Sequence, residues 1–151
     1  MSISRKLDQI TAWLPTRPAV YLFLVLVWAV TLWFLSAGNP TPKNAPEIPH
    51  LDKLVHFTYF FGGGAAMACW LGLSWPDWSR FRVFAVVTVG FCILGRLDEY
   101  HQSFTPGRSG NDMGDWIADI LGAAVGSLVV VMVLMPRLLR RVGHQNHDYH
   151  Q

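Results

Sequence analysis

Four long apolar blocks, residues 19–35, 55–73, 81–94 and 116–135, restrict what this chain can fold into more than any other feature. A helix needs about 20 mainly apolar residues to cross a hydrocarbon core about 30 Å thick, and three of the blocks reach or approach that length. The third reaches it only by running on to Tyr100. That extension carries Arg96, Asp98 and Glu99 into the end of a membrane helix, where ionisable groups are costly and usually functional. The chain is 52% hydrophobic and 15% charged, whereas a soluble domain carries about 25% charged residues. The expected solvent is the bilayer, and the expected fold is all-α: an integral membrane bundle of four transmembrane helices, N-in/C-in.

Orientation follows from the short loops. Arg5, Lys6, Arg17, Arg80, Arg82, Arg137, Arg140 and Arg141 fall on one side, and Lys43, Lys53, Arg96 and Arg108 on the other. The richer side is cytoplasmic by the positive-inside rule, which places both termini inside and the first and third loops outside. The expected organisation is a cytoplasmic N-terminal segment at 1–18, a four-helix membrane domain at 19–136 and a cytoplasmic polar tail at 137–151, in the cell membrane of a bacterium. The first block is longer than the apolar core of a signal peptide and reads as an uncleaved helix. Trp33 and Trp116 mark the outer boundary, and Trp75 and Trp78 the inner one.

The flanks carry less information. Leu7, Ile10 and Leu14 share one face of a short helix ended by Pro15, which either lies on the membrane surface or frays. Pro40, Pro42, Pro46 and Pro49 predict an extended external loop at 39–49. Residues 143–151 are polar and read as a disordered tail, in spite of His144, His147 and His150 spaced by three. Cys69 and Cys92 sit mid-block and read as packing residues. The basic residues are scattered rather than clustered, so no nucleic-acid partner is expected.

With this orientation the polar residues collect on the outer face. Asp52, Lys53 and His56 open the second helix, Glu99 and Gln102 close the third, and the stretch from Arg108 to Asp119 enters the fourth. Asp52 and His56 are four apart, as are Asp115 and Asp119, so each pair shares a helix face. Below His56 that face runs on through Phe60, Gly63 and Gly64; below Asp119 it runs through Gly122, Ala123 and Gly126. Small residues in such stripes let helices approach closely, which predicts that the second and fourth helices pack together with His56 and Asp119 at similar depth. Singly, Asp52 or Asp115 reads as a helix cap, and Lys53 or Arg108 as a contact to lipid phosphate. Together they form either a structural ion-pair network or a substrate site.

The same residues carry a family resemblance. Asp52-Lys53-Leu54-Val55-His56-Phe57, Asp98-Glu99-Tyr100-His101-Gln102-Ser103-Phe104, Pro106-Gly107-Arg108-Ser109 and Asp115-Trp116-Ile117-Ala118-Asp119, with Gly122 and Gly126 following, resemble the VanZ-like membrane protein family. That family is named for a protein linked to low-level teicoplanin resistance, and the resemblance runs from Asn39 to Gly126. It implies a compact bundle of about four membrane helices with motif residues Asp52, Lys53, His56, Glu99, Gln102, Arg108, Asp115 and Asp119 at one face, and it supplies no reaction. Many members carry Asn at the position of Asp119, and a Tyr where this chain has Phe60.

Three function classes are open to such a chain. An enzyme of the outer leaflet would act on a phospholipid head group or a lipid-linked cell-wall precursor. Its catalytic candidates are His56, Glu99, Asp115 and Asp119: His56 and Glu99 to exchange a proton, and the two aspartates to orient His56 or hold a divalent cation through oxygen. Its substrate-binding candidates are Asp52, Lys53, Gln102 and Arg108, with the two cations on phosphate. No zinc ligand set or nucleophile motif is present, so no metal is assigned and the cofactor is left open. A binding protein would occupy the same lipids or precursors without chemistry, needing Arg108 and Lys53 but tolerating Gln at His56 and Glu99. A proton-linked transporter is disfavoured, because the inner halves of the helices carry no charge for a relay.

Overall fold

The computed structural model describes residues 2–38, 49–108 and 110–148, which fold into helices with no strand among them. In chain order these are α1 (Ile3–Ala12), α2 (Pro18–Ser36), α3 (Leu51–Ser74), α4 (Arg80–Gln102), α5 (Met113–Val129) and α6 (Met135–Asp148). A π-helical turn, Val130–Leu134, joins α5 to α6 without a break. Pro18 stands in the first turn of α2, where its missing N–H is no loss. Ser79 caps α4 by accepting from the Arg82 N–H, and Asp112 caps α5 by accepting from Gly114 and Asp115.

Three helices are long and apolar enough to cross a membrane: α2, α3 and the continuous rod from Met113 to His144. The helix α4 has 23 residues but carries Arg80 and Arg82 at one end and Arg96, Asp98 and Glu99 at the other. The bundle exterior is apolar, with Phe23, Leu26, Val30, Val89, Ile93, Leu121 and Leu128 all exposed. Such a surface matches lipid rather than water.

The packing axis is α3 against α5, and glycine sets the distance. A Cβ on Gly64 would stand 2.5 Å from the Ala123 carbonyl oxygen, and one on Gly122 or Gly126 would collide with the carbonyl oxygen of Phe57 or Phe61. The two small-residue stripes therefore meet as their spacing predicts, with one exception. Gly63 instead makes room for the rings of Trp28 and Phe91. Trp28 of α2 packs against Tyr59, Phe60 and Phe91 and donates its indole N–H to the Tyr59 carbonyl at 3.0 Å. The Tyr59 hydroxyl donates in return to the Trp28 carbonyl at 2.7 Å. That phenol belongs to the α2–α3 seam.

Several expectations on the flanks change. The tail does not become irregular at Gly143, because α6 continues to Asp148. Residues 2–14 do not fray: Arg141 donates to the carbonyls of Thr11 and Leu14, and Arg137 pairs with Asp8 at 3.0 Å, tying α1 to α6. Asp8, Thr11, Arg137, Arg140, Arg141 and His144 line an open cleft of about 480 Å³. Trp116 is more than a boundary marker, since its indole N–H donates to the Cys92 carbonyl at 2.9 Å and joins α5 to α4. The proline-rich loop lies, apart from Pro49, outside the described residues, as does Ser109.

Candidate functional site

At the end of the bundle away from α1 and α6, the C-terminal ends of α2 and α4 meet the N-terminal ends of α3 and α5. The buried face of α4 runs Val83, Val87, Phe91, Gly95 and then Asp98, Glu99 and Gln102, so one stripe turns from apolar to polar as it reaches this end. The buried face of α5 begins with Asp115 and Asp119. Asp98, Glu99, Gln102, Asp115 and Asp119 are thereby all buried, Asp119 completely.

His56 stands between the carboxylates of α5. Its Nδ1 lies 2.9 Å from Asp119 Oδ1 and its Nε2 3.9 Å from Asp115 Oδ2. Beside it, Asp98 accepts from the Ser36 hydroxyl of α2 and, at 2.6 Å, from the Gln102 side-chain amide. Gly95 leaves space for the Asp119 carboxylate, since a Cβ there would stand 3.0 Å from Oδ2. The second oxygens of two carboxylates, Asp119 Oδ2 and Glu99 Oε1, are buried without a hydrogen-bond partner among the described residues.

The loop between α4 and α5 closes this end. Gly107, Gly110 and Asn111 all have positive φ, which makes the reversal tight. Behind it the Asp112 N–H donates to Glu99 Oε2 at 2.5 Å, tying the two helices together. The Asp112 carboxyl is held below its ordinary value, first by the Gly114 N–H and then by Lys53. Arg108 donates through Nη1 to the carbonyls of Leu35 and Gly38 at 3.2 and 3.3 Å, and Thr105 donates to the Ser36 carbonyl. The loop is thus stapled over the end of α2.

Of the residues singled out from sequence, His56, Glu99, Asp115 and Asp119 come together in this buried cluster. Gln102 and Arg108 line a pocket of about 220 Å³ beside it, together with Ser36, His56 and Asp98. Its other walls are Leu32, Leu35, Val55, Tyr59 and Phe60, so the cavity is polar on one side and apolar on the other. Lys53 lies outside it. Its ammonium group sits 2.9, 3.2 and 3.1 Å from Asp52, Asp112 and Asp115, which uses its three donors. Asp52 is exposed and contacts Lys53 rather than sharing a partner with His56.

Sequence reasoning missed Asp98, Ser36 and Asp112 as members of the site. Asp98 was within reach, because it lies four residues before Gln102 and so on its face. Ser36 carried no local signal. It enters only because α2 ends at the same level as α4.

An apolar exterior around a bundle whose buried charges gather at one end defines an integral membrane protein with a polar terminal site. The VanZ/LLP1 family model matches residues 19–135, more than half of the chain, and the chain belongs to that family. No curated protein and no solved structure matches it.

Proposed function

We propose that this protein crosses the bacterial cell membrane four times with both termini in the cytoplasm, and that its polar pocket receives the phosphate-bearing head group of an outer-leaflet lipid. Phospholipids and lipid-linked cell-wall precursors share that chemistry. On this reading residues 1–18 and 137–151 flank a membrane domain at 19–136, and α4 is the fourth span, its charged ends lying at the two interfaces.

The observation that carries the reading is the two-sided lining of the 220 Å³ cavity. Apolar walls from α2 and α3 suit the glycerol or first acyl carbons of a lipid, while Arg108, Gln102 and Ser36 suit its head. A guanidinium has five N–H donors in a planar fork, so Arg108 can keep its hold on Leu35 and Gly38 and also bind a phosphate oxygen. Lys53, its donors committed to three carboxylates, holds α3 to α5 instead. His56, oriented by Asp119, is placed to exchange a proton with a hydroxyl or water in the pocket, and Glu99, buried outside the pocket lining, is the second carboxylate of that proposal.

A binding role without chemistry is the second reading, favoured by the closed network of Ser36, Asp98 and Gln102. One comparison separates them. Total lipids and cell-wall precursors are measured by mass spectrometry in a deletion strain complemented with wild type, His56→Gln, Glu99→Gln or Arg108→Ala. Catalysis requires all three variants to fail, and binding alone requires only Arg108→Ala to fail. A lipid and precursor profile identical in every strain sinks the catalytic reading, and teicoplanin susceptibility of the same strains gives a second readout.

A further inference from the structure

We infer that His56, Asp98 and Asp119 form a binding site for a divalent transition-metal cation at the inner wall of the pocket. The three residues come from α3, α4 and α5, and each offers a ligand atom within 4.8 Å of the other two. The separation of His56 Nδ1 and Asp119 Oδ1, 2.9 Å, is close to the roughly 3 Å that separates adjacent ligands bound about 2.1 Å from one ion. A cation would replace the proton those two atoms share.

Two further observations point to a ligand here. Asp119 has no exposed surface, yet its Oδ2 has no hydrogen-bond partner among the described residues. The charge is also unbalanced. Asp98, Glu99, Asp115 and Asp119 are all buried, while among the described residues the cations within ion-pair distance of them are Lys53, on Asp115, and His56 when protonated. Arg108 is turned toward backbone carbonyls. A buried carboxylate at the end of a membrane bundle is expensive without a counter-charge, and one divalent ion supplies two.

The donor set selects the ion. One imidazole and two carboxylates suit Zn²⁺ or Mn²⁺ better than Ca²⁺, which prefers oxygen alone. Ser36 and Gln102 already fix the Asp98 carboxylate, one on each oxygen, as outer partners of metal ligands do. Three protein ligands leave a position open, and His56 and Asp98 both line the pocket, so that position faces the incoming head group.

The test uses the full chain in nanodiscs, stripped with chelator and titrated with Mn²⁺ and Zn²⁺ alone. About one ion should bind per chain, and bound Mn²⁺ should show nitrogen coupling from an imidazole in its electron spin-echo spectrum. Asp98→Asn and Asp119→Asn should each weaken binding at least about tenfold, and His56→Gln should remove the nitrogen coupling. Replacement of His144, His147 and His150 by Gln should leave both unchanged. Absence of binding by the wild type, absence of nitrogen coupling, or binding that survives in folded Asp98→Asn and Asp119→Asn would each overturn the site. Because no lipid substrate enters the titration, its failure leaves the head-group reading standing, and the converse also holds.

Discussion

Replacing Gly122 with Ala tests whether the α3–α5 approach is what assembles the site. The new methyl group lands on the Phe57 carbonyl oxygen, which is backbone and cannot swing aside. Restoring an ordinary contact requires the two helices to part by about 1 Å. His56 immediately precedes Phe57, and Asp119 lies one turn before Gly122, so the same displacement acts on their 2.9 Å contact. It lengthens to about 4 Å, past hydrogen-bonding distance. Overpacking costs about 1–3 kcal/mol and the lost charged hydrogen bond about 1.5–3 kcal/mol, offset by about 1 kcal/mol of better helix propensity for Ala. The net loss should be about 1.5–5 kcal/mol, read by equilibrium unfolding in bicelles. Gly62→Ala and Gly90→Ala are the controls, since a Cβ at either meets nothing within 4 Å, and they should be neutral or stabilising by up to about 1 kcal/mol. If Gly122→Ala unfolds like these controls, or the His56 ring resonances stay where they are in wild type, the reasoning is wrong.

Gly126→Ala meets the Phe61 carbonyl one turn further from the pocket than Gly122, so it should cost about 1–3 kcal/mol in unfolding while disturbing the His56 resonances less than Gly122→Ala. Tyr59→Phe removes the donor to the Trp28 carbonyl; a loss of about 1 kcal/mol with the lipid profile of the complemented strain unchanged would place the phenol in the seam rather than the chemistry. Asp112 is held below its ordinary value of 3.8, so it contributes stability that is present above that pH and lost as pH falls through its lower folded value. Unfolding midpoints of wild type and Asp112→Asn, followed from pH 5 downward, should therefore converge at the acid end, and a constant gap would contradict the assignment.

Much of this architecture was legible because two periodicities coincide. The stripe Gly122, Ala123, Gly126 identified the partner of Gly64, and that pairing fixed the level of His56 against Asp119. Length and hydropathy located α2, α3 and α5. The residues that sequence reasoning missed are those whose role depends on where another helix ends: Ser36 reaches Asp98 because α2 and α4 finish at the same depth, and nothing near Ser36 in the chain records that. Lys53 shows the opposite failure. Its charge suggested phosphate, but Asp112 and Asp115 approach it from α5, and a contact to residues about sixty positions away has no local signature. The helix of 143–148 was hidden by polar composition, because its support comes from the ties of Arg137 and Arg141 to α1 rather than from an apolar face.

The unbroken helix from Met113 to His144 has a consequence for where the protein can reside. At 1.5 Å per residue, Arg137 stands about 36 Å along the axis from Met113 and its polar entry turn, only a little more than a hydrocarbon core of about 30 Å. The helix stays continuous through the π-helical turn Val130–Leu134 and past Pro136, so its length sets the bilayer thickness it suits. In a thicker membrane either the aspartates at one end or the arginines at the other are drawn toward the acyl chains. In a thinner one the helix must tilt and take α1 with it.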